Sequence, residues 1–371
     1  MSPALRTFDL GFTVLGAEED RLRSSHVASS FLQNLPLLAP NLEALVVRGD
    51  FNIYLRSLQS IDHFTRLERL STPPTLALDE HTLRVLSSIA TLHDLSCWID
   101  LSGTSAPAFG QDAFHQLTSL AIRGASDHIF AFMRACQLSS LGHIDLRITQ
   151  PPSSRHPRDL FAALCQHCEP PLLTALDITF SHDFVSRPNS LMEYFEPLLA
   201  LPHTTSFHVV FSSIEPSIRD DDLSRFGAAW PLARFHVEHR TRQYAQRHLV
   251  RPTLSGIITL ARLCPFLTTL YIPELDPRAI PNASTGAVPA LGHGLRVASI
   301  MNIFSPLSME VYLEVAGVLD RVFPALDLDA ALKECMGWGK GWGEVLSFLK
   351  AMRVGRVNGG AYADLLREGW R

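Results

Sequence analysis

An apolar motif that recurs along the 371-residue chain constrains its fold more than any other feature. In most copies, an apolar residue is followed three and five positions later by two more. Five copies advance by 25, 25, 25 and 24 residues, beginning at Leu42, Leu67, Leu92, Leu117 and Leu141. Five more follow at intervals of 28 to 35 residues, beginning at Leu173, Thr204, Leu232, Leu267 and Leu295. Such regularity indicates one structural unit repeated along the chain.

The form of the motif predicts which unit is repeated. A period in the twenties with an L-x-x-L-x-L strand is typical of leucine-rich repeats, whose units bury their leucines only by stacking on each other. Alternate strand residues face opposite ways, so motif positions four and six point into the core and positions three and five point out. We therefore predict an α/β fold, a curved horseshoe-shaped solenoid with parallel strands on its concave face and helices on its convex face.

The segments between the motifs have helical periodicity. In residues 79–90, Leu83, Leu86 and Ile89 fall on one helical face. Ser126 or Asp127 is the predicted N-cap of the next, and Asp220 to Asp222 favour a helix start through the helix dipole. The predicted helices of the repeats span residues 18–35, 79–90, 126–136, 157–168, 190–201, 220–230 and 253–264.

The two ends of the chain differ from the middle. Leu5-x-x-Phe8-x-Leu10 resembles a repeat strand, so we expect a solenoid over residues 1–305 that begins in the middle of a repeat. Residues 306–371 lack the repeat spacing and are predicted to form a C-terminal helical capping region continuous with the solenoid. Its predicted elements are helices at 308–323, 342–352 and 361–367 and a short strand at 325–328.

Composition disfavours several classes of partner. The formal net charge of −5 and pI near 6.3 give no electrostatic basis for binding nucleic acid or an anionic membrane. The chain has no apolar segment near the roughly 20 residues that span a bilayer, and no apolar run typical of a secretory signal at its start. Six dispersed cysteines suggest buried thiols in a reducing compartment. We expect a cytoplasmic or nuclear protein.

Motifs for catalysis are weak. Cys165 and Cys168 form a C-x-x-C, but no second pair or spaced histidines complete a metal site, so a structural role is favoured. Gly337 to Gly343 lacks the phosphate-loop pattern, and Asn282 is a glycosylation sequon without a secretion signal. We predict that the chain is not an enzyme and has no catalytic residues, metal site or cofactor.

The register of the motif also predicts the exposed face of the sheet. Arginine, tryptophan and tyrosine often anchor protein interfaces, and they share this face with charges of both signs. The mixed charge favours a protein or peptide partner over a polyanion. The predicted partner-binding residues of the concave face are Arg48, Trp98, Arg123, His143, Asp145, Arg147, Asp177, Thr179, His208, Arg234, His236, Glu238 and Tyr271.

One segment adds a family resemblance. Residues 251–273 contain G-x-x-x-L-A-x-x-C-P, from Gly256 to Pro265, followed by an L-x-x-L strand, and Leu37 to Leu45 is similar. Together with Trp342 to Val345, these segments resemble the F-box and leucine-rich-repeat proteins of mushroom-forming fungi. The resemblance implies the substrate-recognition part of an F-box-type ubiquitin-ligase receptor.

In that family, an N-terminal helical F-box binds the cullin-complex adaptor. This sequence contains no recognisable F-box. We therefore expect adaptor binding only if an F-box lies upstream; otherwise we expect a shortened relative of the family that lacks the F-box. Two alternatives stay open. One is a leucine-rich-repeat scaffold or inhibitor unrelated to ubiquitin, and the other is a metal- or thiol-dependent enzyme that uses the Cys165–Cys168 pair.

Overall fold

The chain has an α/β fold with a 12-stranded parallel sheet. The computed structural model describes residues 5–11, 18–49, 58, 60–103, 107, 109–110, 112–150, 157–167, 172–181, 190–213, 215–239, 249–278, 291–303, 308–335 and 341–368. The strands are β1 Thr7–Gly11, β2 Ala44–Arg48, β3 Arg69–Ser71, β4 Ala77–Leu78, β5 Asp94–Ile99, β6 Ser119–Ala125, β7 His143–Gln150, β8 Ala175–Phe180, β9 Ser206–Phe211, β10 Arg234–His239, β11 Thr269–Leu275 and β12 Val297–Ile303. Their order in the sheet is the order of the chain, except that β4 lies beside β5 and off the main path.

Helices connect most of the strands. They are α1 Glu18–Leu38, α2 Glu80–Ser87, α3 Ser126–Ala135, α4 Pro157–His167, α5 Leu191–Phe195, α6 Asp220–Ala229, α7 Leu254–Leu263, α8 Met309–Val322, α9 Leu328–Cys335 and α10 Trp342–Glu368. Short 3-10 helices occupy Ile61–His63 and Glu196–Ala200. Within the described part of the chain, no helix combines the length and the apolar character needed to cross a membrane.

The ten motif copies coincide with strands, as predicted. They lie at β2, β3 and β5 to β12, and every apolar residue at their motif positions is at most 3% exposed. Equivalent positions pair in register, which forms a ladder of buried side chains across neighbouring strands: Leu45, Leu70, Leu95, Leu120, Ile144 and Leu176. Full burial of such a side chain contributes roughly 1.5–3 kcal/mol, so this ladder is a principal source of stability.

The chain forms two compact units. Unit 1 comprises Met1–Val185, Glu193–Thr204 and Val209–Ser213, and unit 2 comprises Ser186–Met192, Thr205–His208 and Ile214–Arg371. In unit 1, the leucine ladder adjoins an aromatic cluster in which Phe180 stacks on Phe211 with ring centroids 5.0 Å apart. In unit 2, rings with centroids 5.1–5.7 Å apart join α6 to β9 and β10, namely Phe207, Phe226, Trp230 and Phe235.

The segment that carries the family resemblance is a packing motif in the structure. The Asp220 carboxylate at the start of α6 accepts hydrogen bonds from the Thr253 backbone N–H at 2.7 Å and from its hydroxyl at 2.6 Å. Gly256 makes room for this carboxylate, because a Cβ atom at that position would overlap it. At the other end of α7, the buried Cys264 Sγ lies 3.5 Å from the Trp230 carbonyl oxygen. Each of these residues therefore brings α7 close to α6.

The structure corrects three predicted elements. The N-cap of α3 is Ala125, and Ser126 is a buried residue of the helix itself. The predicted strand at 325–328 is wrong: Asp327 Oδ1 accepts hydrogen bonds from the N–H groups of Asp329 and Ala330 at 3.1 and 3.0 Å, which starts α9 instead. The two predicted last helices are one helix, α10, that continues through Gly359 and Gly360.

We expect Gly256→Ala to destabilise the protein by about 1–3 kcal/mol, because the new methyl group overlaps the carboxylate that holds the start of α7. Gly317→Ala is the matched control in α8. A Cβ atom there meets nothing within 4 Å, so higher helix propensity should leave stability equal or raise it by about 0.4–1 kcal/mol. Urea unfolding of both variants measures the difference. Equal free energies of unfolding for the two variants would contradict the packing role of Gly256.

Candidate functional site

The strand residues that alternate with the buried motif residues form the second face of the sheet, which we call the outer face. In unit 1, every outer-face residue of β5 to β8 is partly or fully exposed. The register arranges the side chains of these strands in rows. The first row contains Asp94, Ser119, His143 and Ala175, the second contains Ser96, Ala121, Asp145 and Asp177, and the third contains Trp98, Arg123, Arg147 and Thr179.

The first two rows meet at an ion pair. His143 Nε2 lies 2.8 Å from Asp177 Oδ2 on the neighbouring strand. This hydrogen bond raises the pKa of His143 above its ordinary value of 6.5, and the charges of Asp177, Asp145 and Asp94 act in the same direction, whereas burial opposes them. Both side chains remain solvent-accessible, at 46% and 33% exposure. The pair is therefore an exposed group that can respond to pH.

The third row places two arginines side by side. Arg123 and Arg147 are register partners on β6 and β7, with Trp98 beside Arg123 on β5. Arg147 Nε lies 3.3 Å from Asp145 Oδ2. Arg123 forms no hydrogen bond or ion pair with any described residue. Burial lowers the pKa of Arg123, the neighbouring charge of Arg147 lowers it further, and Asp145 opposes both.

Arg48 is not part of these rows. It lies at the end of β2, and its Nη2 atom is 3.1 Å from Asp9 Oδ2 of β1. Both side chains are at least half exposed, so the pair contributes little to stability.

In unit 2, the predicted outer-face residues include three rings in contact, of which His236 and Tyr271 are stacked and His208 is tilted against His236. The ring centroids of His208 and His236 are 4.3 Å apart, and those of His236 and Tyr271 are 4.0 Å apart. Tyr271 is only 9% exposed, since the His236 ring covers one of its faces. His236 Nε2 also lies 3.7 Å from Glu238 Oε2. Arg234 is exposed at the start of β10 and is the register partner of Thr269.

A buried charged pair in unit 2 is absent from the predicted site. Arg251 Nε donates a hydrogen bond of 2.5 Å to Glu274 Oε2, and the two side chains are 4% and 3% exposed. Burial raises the pKa of Glu274, although Arg251 opposes the rise. The neighbouring His239 has a pKa lowered to about 4, first by burial and then by the charge of Arg251. His239 is therefore neutral at pH 7.

The sequence did contain a signal for this cluster. His239 continues the inward positions of Phe235 and Val237, and Glu274 continues those of Leu270 and Ile272. A polar residue at an inward position of the motif must find a partner in the core. That rule identifies His239 and Glu274 as unusual, but the motif does not include Arg251, which precedes α7.

The space around the buried pair is too small for a substrate. Arg251, His239 and Glu274 line a cavity of about 10 Å³, close to the minimum that one water molecule needs. Elsewhere in unit 2, an open groove of about 460 Å³ is lined by Phe266, Thr268, Gly294 and Arg296, among others. Its lining contains no carboxylate, histidine or cysteine, so it offers no general acid or base.

The C-x-x-C pair is only partly described. Burial raises the pKa of the Cys165 thiol to about 11, and its Sγ atom lies 3.2 Å from the Pro197 carbonyl oxygen. Such a thiol is a poor nucleophile at neutral pH. Cys168, Gly337 to Lys340 and the sequon at Asn282 lie outside the described residues. The described residues include no group of three or more histidine, cysteine, aspartate or glutamate side chains that could hold a metal ion.

Comparison with protein-family models and with curated proteins finds no match to this chain. The resemblance to F-box and leucine-rich-repeat proteins therefore stays a prediction from the sequence.

We expect Glu274→Leu to destabilise the protein by about 3–5 kcal/mol, because it leaves the Arg251 charge buried without its partner. The double variant Arg251→Met with Glu274→Leu removes both charges and should be more stable than the single variant. Urea unfolding of the two variants and the unchanged protein tests this. A double variant that is less stable than Glu274→Leu alone would contradict the prediction.

The His143–Asp177 pair should also respond to pH. Because the folded state raises the His143 pKa, the pair's contribution to stability is complete below the ordinary pKa of 6.5 and is lost as pH rises through the raised value. We expect Asp177→Asn to lower the His143 pKa measured by NMR titration. Asp94→Asn is the control and should lower it less, since Asp94 is the smallest of the three acidic contributions. An unchanged titration in Asp177→Asn would exclude the pair as the cause.

Proposed function

We propose that this chain is a leucine-rich-repeat solenoid whose outer face is concave and binds a protein partner. The observation that carries the proposal is the open outer face of unit 1. Most parallel sheets are covered by helices on both faces, and their strands are buried on both sides. In β5 to β8, by contrast, the motif residues are at most 3% exposed and all outer-face residues are partly or fully accessible.

The strand order supports a solenoid over the other α/β architectures. Doubly wound folds reverse their strand order at a switch point, where they bind cofactors. Here the main path follows the chain from β1 to β12 without reversal. A barrel would pair its first and last strands, and among the described residues β1 and β12 have no such pairing. Ten copies of one motif at ten strands are also what stacked repeats require.

The chemistry of the outer face favours a protein partner. Its predicted residues combine arginine, tryptophan and paired charges of both signs, which is typical of protein interfaces. Of the two cavities above, the one lined by His239 and Glu274 has room for about one water molecule, and the lining of the open groove contains no carboxylate, histidine or cysteine. We therefore propose a role in protein recognition rather than catalysis, and a cytoplasmic or nuclear location.

The resemblance to fungal F-box proteins extends the proposal to substrate recognition in a ubiquitin-ligase complex. Under this proposal, the outer face holds the substrate, and the cullin adaptor binds an F-box that lies upstream. The second candidate is a scaffold or inhibitor unrelated to ubiquitin, which would use the same face. Mixing the purified adaptor with forms of the protein that have and lack an F-box separates the two candidates.

We expect Arg147→Ala with Asp177→Asn to abolish binding of partner proteins recovered with the tagged chain from its own cells. Both residues lie on the outer face, and Asp177 also holds His143. The matched control is Arg84→Ala with Glu80→Gln, which likewise removes one arginine and one carboxylate, here an ion pair on α2. Quantitative mass spectrometry of the recovered proteins compares the two variants.

Thermal unfolding should shift little in either variant, because exposed ion pairs contribute at most about 1 kcal/mol. Partners that are lost from the outer-face variant and kept by the α2 variant would support the proposal. Identical sets of recovered proteins from the two variants would refute it.

A further inference from the structure

Arg123 and Arg147 form an unusual pair on the outer face of unit 1. They are register partners on adjacent strands, in the row that also contains Trp98 and Thr179. Like charges beside each other on neighbouring strands are unfavourable, and burying part of a guanidinium group adds to that cost. Both effects act on Arg123, since burial and the charge of Arg147 each lower its pKa.

The surrounding acids do not neutralise this pair. Asp145 lies 3.3 Å from Arg147 Nε, and Asp177 is occupied by His143 at 2.8 Å. None of the described residues accepts a hydrogen bond from Arg123 or forms an ion pair with it. Arginine stays protonated in proteins in spite of such shifts. Two guanidinium groups and the Asp145 carboxylate together carry a net charge of +1.

Resting on the proposed function, we propose that Arg123 and Arg147 bind a carboxylate side chain, an aspartate or glutamate, of the protein partner. A guanidinium group matches a carboxylate with two parallel hydrogen bonds, and such charge-assisted bonds are among the stronger polar contacts. Trp98 adjoins Arg123 and offers apolar surface to the residues next to that acid.

The local charge favours a carboxylate over a phosphate group or a nucleic acid. A net charge of +1 is balanced by one carboxylate, whereas a phosphate monoester carries about −1.5 to −2 at pH 7. Asp145 and Asp177 lie side by side in the adjoining row and would repel an extended polyanion. The formal charge of −5 on the whole chain also disfavours binding of a polyanion.

A selection from a displayed library of short random peptides tests the proposal on the full chain. We expect the selected peptides to share an aspartate or glutamate. One selected peptide is then synthesised with that acid, with the corresponding amide, and with phosphoserine at the same position. The amide peptide should bind the unchanged protein roughly tenfold or more weakly, as expected for loss of hydrogen bonds between charged groups.

Arg123→Gln should weaken binding of the acidic peptide by a similar factor. The acidic and amide peptides should then bind the variant with nearly equal affinity. This double-mutant cycle isolates the contact between the two groups from a change in folding. Arg84→Gln in α2 is the control and should leave both affinities unchanged. The thermal midpoint of Arg123→Gln should stay equal or rise, because the substitution relieves the repulsion from Arg147.

The outcomes separate this inference from the proposed function. Peptides that depend on outer-face residues but show no coupling to Arg123 would overturn the inference alone. Tighter binding of the phosphoserine peptide than of the acidic peptide would also overturn it, in favour of a phosphate site. Two results would overturn the inference and the proposed function together: a selection that yields no binding peptides, or peptides whose affinity is unchanged by every outer-face substitution.

Discussion

Each strand buries its motif side chains against the same positions of the strands beside it. The ladder from Leu45 to Leu176 in unit 1 is the clearest case, since six strands in register contribute one residue each. A single copy of the motif could not exclude water from its own leucines, so stability comes from the contact between copies. Because the strand has a period of two, the same register that buries these residues also fixes the side chains of the outer face.

In two of the five copies with wider spacing, larger side chains occupy the central position of the motif. The copies that begin at Leu42 to Leu141 use mainly leucine and isoleucine, with Val47 and Cys97 as exceptions, whereas those of β9 and β10 place Phe207 and Phe235 at the central position. These rings pack with Phe226 and Trp230 of α6, which is itself held to α7 through Asp220. At β9 and β10, aromatic packing and hydrogen bonds between successive helices therefore accompany the wider spacing.

The motif predicts most of the fold because burial and backbone period act together at those positions. Ten strands and the helices between them could be predicted, and the L-A-x-x-C part of the resemblance marks a tightly packed helix end around Cys264. The predictions were wrong where burial was weak or where side-chain capping determined which element formed. Asp327 starts α9 through its side chain, whereas the short apolar segment around it predicts a strand. The sequence predicts separate helices at 342–352 and 361–367, but α10 continues through the residues between them.

The sequence predicts which residues lie on the outer face, but not which of them contact each other. Alternation identifies Arg123, Arg147, Asp145 and Asp177 as neighbours. It does not show that His143 pairs with Asp177, or that no described residue forms a hydrogen bond or ion pair with Arg123. Those facts depend on which of several reachable acids each cation contacts. In the core, an unpaired charge would be too costly, and Arg251 is accordingly matched by Glu274. On the outer face, the adjacent arginines cost less because water still reaches them. The sheet can therefore hold a charge that the described residues do not pair and that, as we propose, a partner's carboxylate does.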